Sequence, residues 1–245
     1  RSFLLLILTS WLVACNGNEI TNPEQDDQND DALNKIMPLG ASRVEGDPPA
    51  YESYRYELWK LLIDSGYDFD FIGVEKDRAG VYADYEGQKF DVDHEGRGGI
   101  DSGGILEELE FTLEELNSPP DIVLFSSPGG NDRRENYPQT VLNVNAIIDK
   151  FQAVNPNVTI FIELLAPPMT KEQTPAFQAY YNQALKDIAL VAEQQTTATS
   201  KVITIDMTAA AGFTDAFLAD DVHYNQAGAV FIANRYFEAL KEVLR

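Results

Sequence analysis

From residue 35 to the C-terminus, short apolar runs alternate with longer amphipathic ones, and few folds accept that order. Residues 35–39, 69–74, 122–126, 158–165 and 202–206 are apolar runs of strand length. Residues 54–65, 104–116, 140–154, 177–194 and 225–244 read as helices, with apolar residues near three-to-four spacing clearest in 177–194. Gly66 closes the first helix, and Pro119-Pro120 breaks the chain ahead of the third strand. Strand–helix alternation over this length calls for parallel strands with helices on both faces. The expected fold is a three-layer α/β/α sandwich on a five-stranded parallel sheet, one domain over residues 34–245. Such sheets build their sites where strands end, so the segments after each strand matter most.

The N-terminal part cannot join that core. Residues 1–14 read as an export signal: Arg1, an apolar run from Phe3 to Leu8, then Leu12-Val13-Ala14 before Cys15. The run is too short for a comfortable membrane span. The sequence does not begin with Met, and a few residues are expected upstream. Cys15 is the single cysteine, so no intrachain disulfide forms. A cysteine directly behind small and apolar residues resembles a bacterial lipobox, in which it would be lipidated. The alternative is an ordinary signal peptide cut near Ala14, giving a secreted protein with a free thiol. Residues 15–33 are polar and acidic and read as a disordered tether. The net charge of −22 speaks against nucleic-acid binding, because an anion gains nothing from phosphate counterion release. The expected place is therefore the bacterial cell envelope or surface, in the outer membrane, through a lipid on Cys15.

Four segments after strands carry the polar chemistry. The first strand leads into Gly40-Ala41-Ser42-Arg43-Val44-Glu45-Gly46. After the second comes a long loop with Asp93-His94-Glu95-Gly96-Arg97-Gly98-Gly99, whose glycines permit close backbone approach. After the third comes Ser127-Pro128-Gly129-Gly130-Asn131-Asp132, and beyond the fifth Asp220-Asp221-Val222-His223-Tyr224-Asn225. Nucleophilic catalysis needs a nucleophile, an imidazole to take its proton and a carboxylate to hold the imidazole tautomer. The chain has two histidines, and His223 has Asp220 three residues before it in a loop, an offset that lets the side chains meet.

Plainer readings stand beside these. Ser42 alone would be a turn serine. His94 suits a structural bond to a loop carbonyl better than substrate contact, and Asp132 a structural role better than a catalytic one. Glu45 and Glu95 would suit a glycosidase pair only if something fixed their separation. Asp91, Asp93, His94 and Glu95 lack a second ligand group elsewhere for a metal. Tyr51, Tyr54, Tyr56 and Trp59 suit a sugar-stacking rim, although Trp59 at helical spacing is more often core.

Taken in order, Gly40-x-Ser42, Gly99, Gly129-Gly130-Asn131-Asp132 and Asp220-x-x-His223 resemble the four blocks of the SGNH (GDSL-type) hydrolases. The resemblance runs from about residue 35 to the C-terminus. Residues 36–40, Tyr54-Arg55-Tyr56-Glu57-Leu58-Trp59, Asp70-Phe71-Ile72-Gly73 and Asp93-His94-Glu95-Gly96 further resemble the family 3 carbohydrate esterases, which remove acetyl groups from xylan and related sugars. The resemblance implies a flavodoxin-like SGNH fold and an esterase of short acyl groups, with an acetylated sugar or small ester as substrate. It implies Ser42 as nucleophile, His223 as base and Asp220 as its orienting acid. The backbone N–H groups of Ser42 and Gly99 and the Asn131 amide would form the oxyanion hole, with no metal or organic cofactor. The family usually has Asp at Ala41, Ile-Thr at Arg43-Val44 and a common proline at Tyr224. Ala41 removes a hydrogen-bonding group beside the nucleophile, and Arg43 adds charge near it. Within enzymes the rival is a lysophospholipase or broad short-chain esterase. A carbohydrate-binding surface protein with weak catalysis is the reading from another class.

Overall fold

The computed structural model describes residues 33–245 apart from Ala79, Ser127, Gly129 and Arg133. The expected export signal, Cys15 and the tether as far as residue 32 lie outside the described residues, as does Gly129 of the third block.

The sheet has seven strands: β1 (Lys35–Gly40), β2 (Asp70–Phe71), β3 (Glu75–Lys76), β4 (Asp93–Gly96), β5 (Ile122–Phe125), β6 (Thr159–Leu164) and β7 (Lys201–Asp206). Their order is β3-β4-β1-β5-β6-β7, with β2 also paired to β1. All pairings are parallel except β3 with β4. The fold is the expected mostly parallel α/β sandwich, with two more strands than the apolar runs suggest. One edge of β1 explains β4, and β3 is the short antiparallel partner of β4. The first half of β1 pairs with β2, Lys35 opposite Asp70, and its last residues pair with β4, Gly40 opposite Gly96. The strand expected over 69–74 therefore shrinks to two residues, and the loop expected around 93–96 supplies the rest. The sequence Asp93-His94-Glu95 hides a strand because its buried side chains are polar. They are matched by polar partners: Glu95 accepts from Thr112 Oγ1 at 3.0 Å and pairs with Arg97, and Asp93 pairs with Lys76 at 3.4 Å.

Period-two alternation along the strands feeds two cores. Ile36, Ile122, Leu124 and Phe161 point to one face, covered by α2 (Arg55–Asp64) and α6 (Gln226–Leu240). Met37, Leu39, Val123, Phe125, Ile160 and Ile162 point to the other, under α3 (Ser102–Glu115), α4 (Tyr137–Val154) and α5 (Pro175–Gln195). Side-chain caps fix where three helices begin. Asp101 accepts from Gly104 N, Thr174 from Phe177 N and Asn225 from Gly228 N. Among the described residues, no helix is long and apolar enough to cross a membrane.

The chain leaves β4 on one side of β1 and re-enters the sheet as β5 on the other. That reversal opens a crevice at the strand ends. A single turn, α1 (Ser42–Glu45), follows β1 there and packs directly on the end of β4. Gly96 permits this contact. A Cβ at that position would stand 2.6 Å from Glu45 N and 2.8 Å from Val44 Cβ, against main chain that cannot swing aside. Gly96→Ala is expected to cost about 1–3 kcal/mol of stability. By displacing the turn that carries Ser42 it should also lower ester hydrolysis about a hundredfold. Chemical denaturation and steady-state kinetics on the same preparation check both effects.

Candidate active site

Ser42 opens α1 directly after Gly40 and Ala41. Ala41 O accepts from Val44 N at 2.9 Å and Glu45 N at 3.0 Å, so the chain turns sharply at the strand end and leaves Ser42 half-buried at the crevice. Far along the sequence, the loop before α6 brings His223 Nε2 to 2.9 Å from Ser42 Oγ. On the other side of the ring, His223 Nδ1 lies 2.8 Å from Asp220 Oδ2. The second oxygen, Asp220 Oδ1, accepts from Val222 N at 2.9 Å and His223 N at 2.8 Å. Burial would raise the Asp220 pKa, but the backbone donors of His223 and Val222 and the imidazole outweigh it, and the carboxyl is held down to about 2. The tight loop is closed by Ala219 N donating to His223 O at 2.8 Å.

Two contacts that the sequence does not reveal hold this geometry. Tyr51 lies flat on the His223 ring, centroids 4.0 Å apart and planes within 16°. Its main chain is fixed between Asp47 and Tyr224, with Asp47 N donating to Tyr51 O and Glu52 N to Tyr224 O. Tyr51 therefore belongs to the imidazole rather than to an outlying rim. Arg43, 8% exposed, donates to Val222 O and Ala166 O at 2.8 Å each, and its guanidinium lies over the Tyr224 ring at 4.8 Å. It ties the nucleophile turn to the loop carrying His223. Two of the departures from the usual family pattern, Arg43 and Tyr224, are thus each other's partners.

The proposed oxyanion groups are less closely assembled. Asn131 lines a cavity of about 160 Å³ together with Ser42, but its Nδ2 donates to Ile100 O at 2.8 Å. A side-chain amide carries two N–H bonds, so one remains. Gly99, at φ 77°, sits in the exposed 97–100 turn and is not among the described residues lining that cavity. Arg97 N donates to Gly40 O at 3.1 Å and fixes this turn beside the nucleophile. Asp132 works as a brace: it accepts from Ser102 Oγ at 2.6 Å and Thr140 Oγ1 at 2.9 Å, holding the loop to α3 and α4. The far wall of the cavity is aromatic, from Tyr137, Phe177, Tyr180 and Tyr181. Phe177, Tyr180 and Tyr181 share one face of the helix that the spacing in 177–194 indicates. They are half-buried and line the cavity.

Packing accounts for several of the other candidates. Glu95 is 2% exposed and paired, so it does not face Glu45 across a crevice. His94 Nδ1 accepts from Gly96 N at 3.0 Å rather than bonding a carbonyl. Trp59 and Tyr54 are in the core, while Tyr56 packs against it. Among the described residues, no group of three or more His, Cys, Asp and Glu side chains is arranged to hold a metal ion.

The comparisons with known proteins bear on the chemistry. An acetyl esterase variant solved with an acetate ion is 27% identical, with a TM-score of 0.72, covering 86% of this chain and 98% of its own. A carbohydrate esterase of family 3 from Talaromyces cellulolyticus is 26% identical, with a TM-score of 0.71 and the same coverage, 86% and 98%. The family 3 carbohydrate esterase of Clostridium thermocellum is 27% identical, with a TM-score of 0.66, covering 86% and 99%. No curated protein matches the chain. The model of the GDSL-like lipase/acylhydrolase family matches residues 66–230, well over half of the sequence. The chain belongs to the GDSL-like lipase/acylhydrolase family, within the SGNH hydrolases, and is a carboxylic ester hydrolase.

Proposed function

We propose that this esterase removes acetyl groups from carbohydrate at the bacterial cell envelope, with Ser42 as nucleophile, His223 as general base and Asp220 as the orienting acid. The observation that carries this reading is the unbroken hydrogen-bonded chain from Asp220 through His223 to Ser42. Ser42 Oγ attacks the acyl carbon while its proton passes to His223 Nε2. The tetrahedral oxyanion is met by the N–H groups of Ser42 and Gly99 and by the Asn131 amide. His223 then returns the proton to the leaving alkoxide, releasing the sugar. Water repeats the sequence on the acyl-serine and frees acetate. The acetyl and carbohydrate parts of the reading are supported by the esterases that the chain resembles.

The aromatic cavity beside Ser42 favours one second reading, a broader esterase or lysophospholipase that places a longer acyl chain there. A panel of aryl esters from acetyl to octanoyl, run beside acetylated xylan and lysophospholipid, separates the two. The deacetylase reading expects acetate release from xylan and a steep fall in kcat/KM along the series. Equal or better turnover of octanoyl esters selects the second reading.

Attachment to the membrane through Cys15 belongs to the same proposal, resting on Leu12-Val13-Ala14-Cys15 and the polar stretch behind it. One acyl chain gives only marginal binding, so stable anchoring requires more than one. In a bacterium expressing the precursor, the protein should fractionate with membranes and Cys15→Ala should not. Identical distribution, with no lipid on Cys15 by mass spectrometry, would overturn the anchor.

A further inference from the structure

A second cavity, of about 300 Å³, lies on the other side of the nucleophile turn. Its wall starts at Glu45 and Asp47, at and just beyond the end of the turn that Ser42 begins, and one turn spans about 5 Å. Asp47 is also main-chain partner to Tyr51, whose ring lies on His223. The cavity therefore lies toward the Tyr51 side of His223, although neither ring is among the described residues that line it. The 160 Å³ cavity lies instead with Asn131, beside the proposed oxyanion.

The floor of the larger cavity is built from buried polar groups. Arg55 is fully buried and pairs with Asp77 at 2.7 Å, fixing that carboxylate in place. His94 is 3% exposed. Its Nδ1 accepts from Gly96 N at 3.0 Å, so the ring carries its proton on Nε2. Burial, reinforced by Arg55 and Arg97, holds the imidazole neutral, with a pKa of about 2. Nε2 stands 4.0 Å from Asp77 Oδ1, too far for a hydrogen bond. A donor and an acceptor thus stand 4.0 Å apart, a gap one oxygen atom can bridge.

The chemistry of that gap selects the ligand. An ammonium group donates to Asp77 but has no lone pair for the Nε2 proton. An anion accepts from Nε2 but meets four carboxylates, Glu45, Asp47, Glu75 and Asp77, against two cations, Lys76 and Arg78, in the wall. A neutral hydroxyl, of water or of an alcohol that displaces it, does both, accepting from His94 and donating to Asp77. We propose that this cavity is the alcohol-side subsite of the enzyme, which seats a sugar residue of the ester by its free hydroxyls, with His94 Nε2 and Asp77 Oδ1 bridged by one of them. The proposal rests on the carbohydrate deacetylase reading.

The test compares kcat/KM for an acetylated xylo-oligosaccharide with that for 4-nitrophenyl acetate, whose alcohol has no further hydroxyl. Two variants of the full chain are used. His94→Leu removes the donor altogether, and Val81→Trp fills the cavity from its partly exposed wall if the buried change fails to fold. In a folded variant the ratio of sugar ester to aryl ester should fall about tenfold, the worth of one well-placed hydrogen bond. A wild type that hydrolyses the sugar ester, with the ratio unchanged in a folded variant, overturns the subsite and leaves the deacetylase standing. A wild type that cleaves the aryl ester and no sugar ester overturns the deacetylase reading, and the subsite with it.

Discussion

Ser42→Ala is expected to reduce ester hydrolysis about a millionfold in kcat while leaving the protein folded, if the proposed roles hold. The side chain of Ser42 is half-buried at the crevice, and its recorded side-chain bond is to His223. The turn it begins is held by main-chain bonds to Ala41 O, which alanine keeps. Removing Oγ therefore removes the attacking atom and little else. Residues that act as a unit do not lose activity additively, so Ser42→Ala combined with His223→Ala should be barely worse than either alone. Hydrolysis of 4-nitrophenyl acetate, with circular dichroism as the folding control, measures this. Wild-type turnover by a well-folded Ser42→Ala protein would falsify the mechanism.

Asp220→Asn should cost about ten-thousandfold in kcat, less than the loss of Ser42 but far more than a surface substitution. The carboxylate accepts three hydrogen bonds, from Val222 N, His223 N and the His223 ring. An asparagine oxygen can still accept from the two main-chain groups, so the loop should keep its shape. Its NH₂ then faces His223 Nδ1, and a donor there forces the ring proton onto Nε2, where it opposes Ser42 as a second donor. With the Asp220 pKa held down to about 2, its own protonation leaves the wild-type rate untouched from mildly acidic to neutral pH. The variant's deficit should therefore persist from mildly acidic to neutral pH. A loss of tenfold or less in a folded variant would show that Asp220 does not set the tautomer.

Periodicity made the frame of the molecule legible. The strands at 35–40, 122–125, 159–164 and 201–206 and the helices between them announce themselves because each buries an apolar face. The strand β4 stayed hidden because burial there is met by polar pairing, which leaves no apolar signature. The turn α1 stayed hidden because four residues contain no full period. At the site, Asp220 and His223 could be paired from the sequence because they meet within one loop. Ser42 drew attention through its place after a strand, and its approach to His223 spans 181 positions. Contacts of that kind, such as Tyr51 on His223 or Arg43 on Tyr224, follow from how loops pack and leave no spacing to read.

The Arg43–Tyr224 contact carries a consequence for how this lineage can change. A more usual family residue at position 43 alone would strip Val222 O and Ala166 O of their donor and leave the buried Tyr224 hydroxyl without its guanidinium partner. Proline at position 224 alone would take the ring and hydroxyl from an almost wholly enclosed guanidinium and leave it only its two carbonyl acceptors. Each single step descends into a valley that the pair together would cross. Random drift should therefore hold both residues fixed for as long as either is present. A recombined gene that takes its N-terminal half from one parent and its C-terminal half from another inherits the mismatch at once.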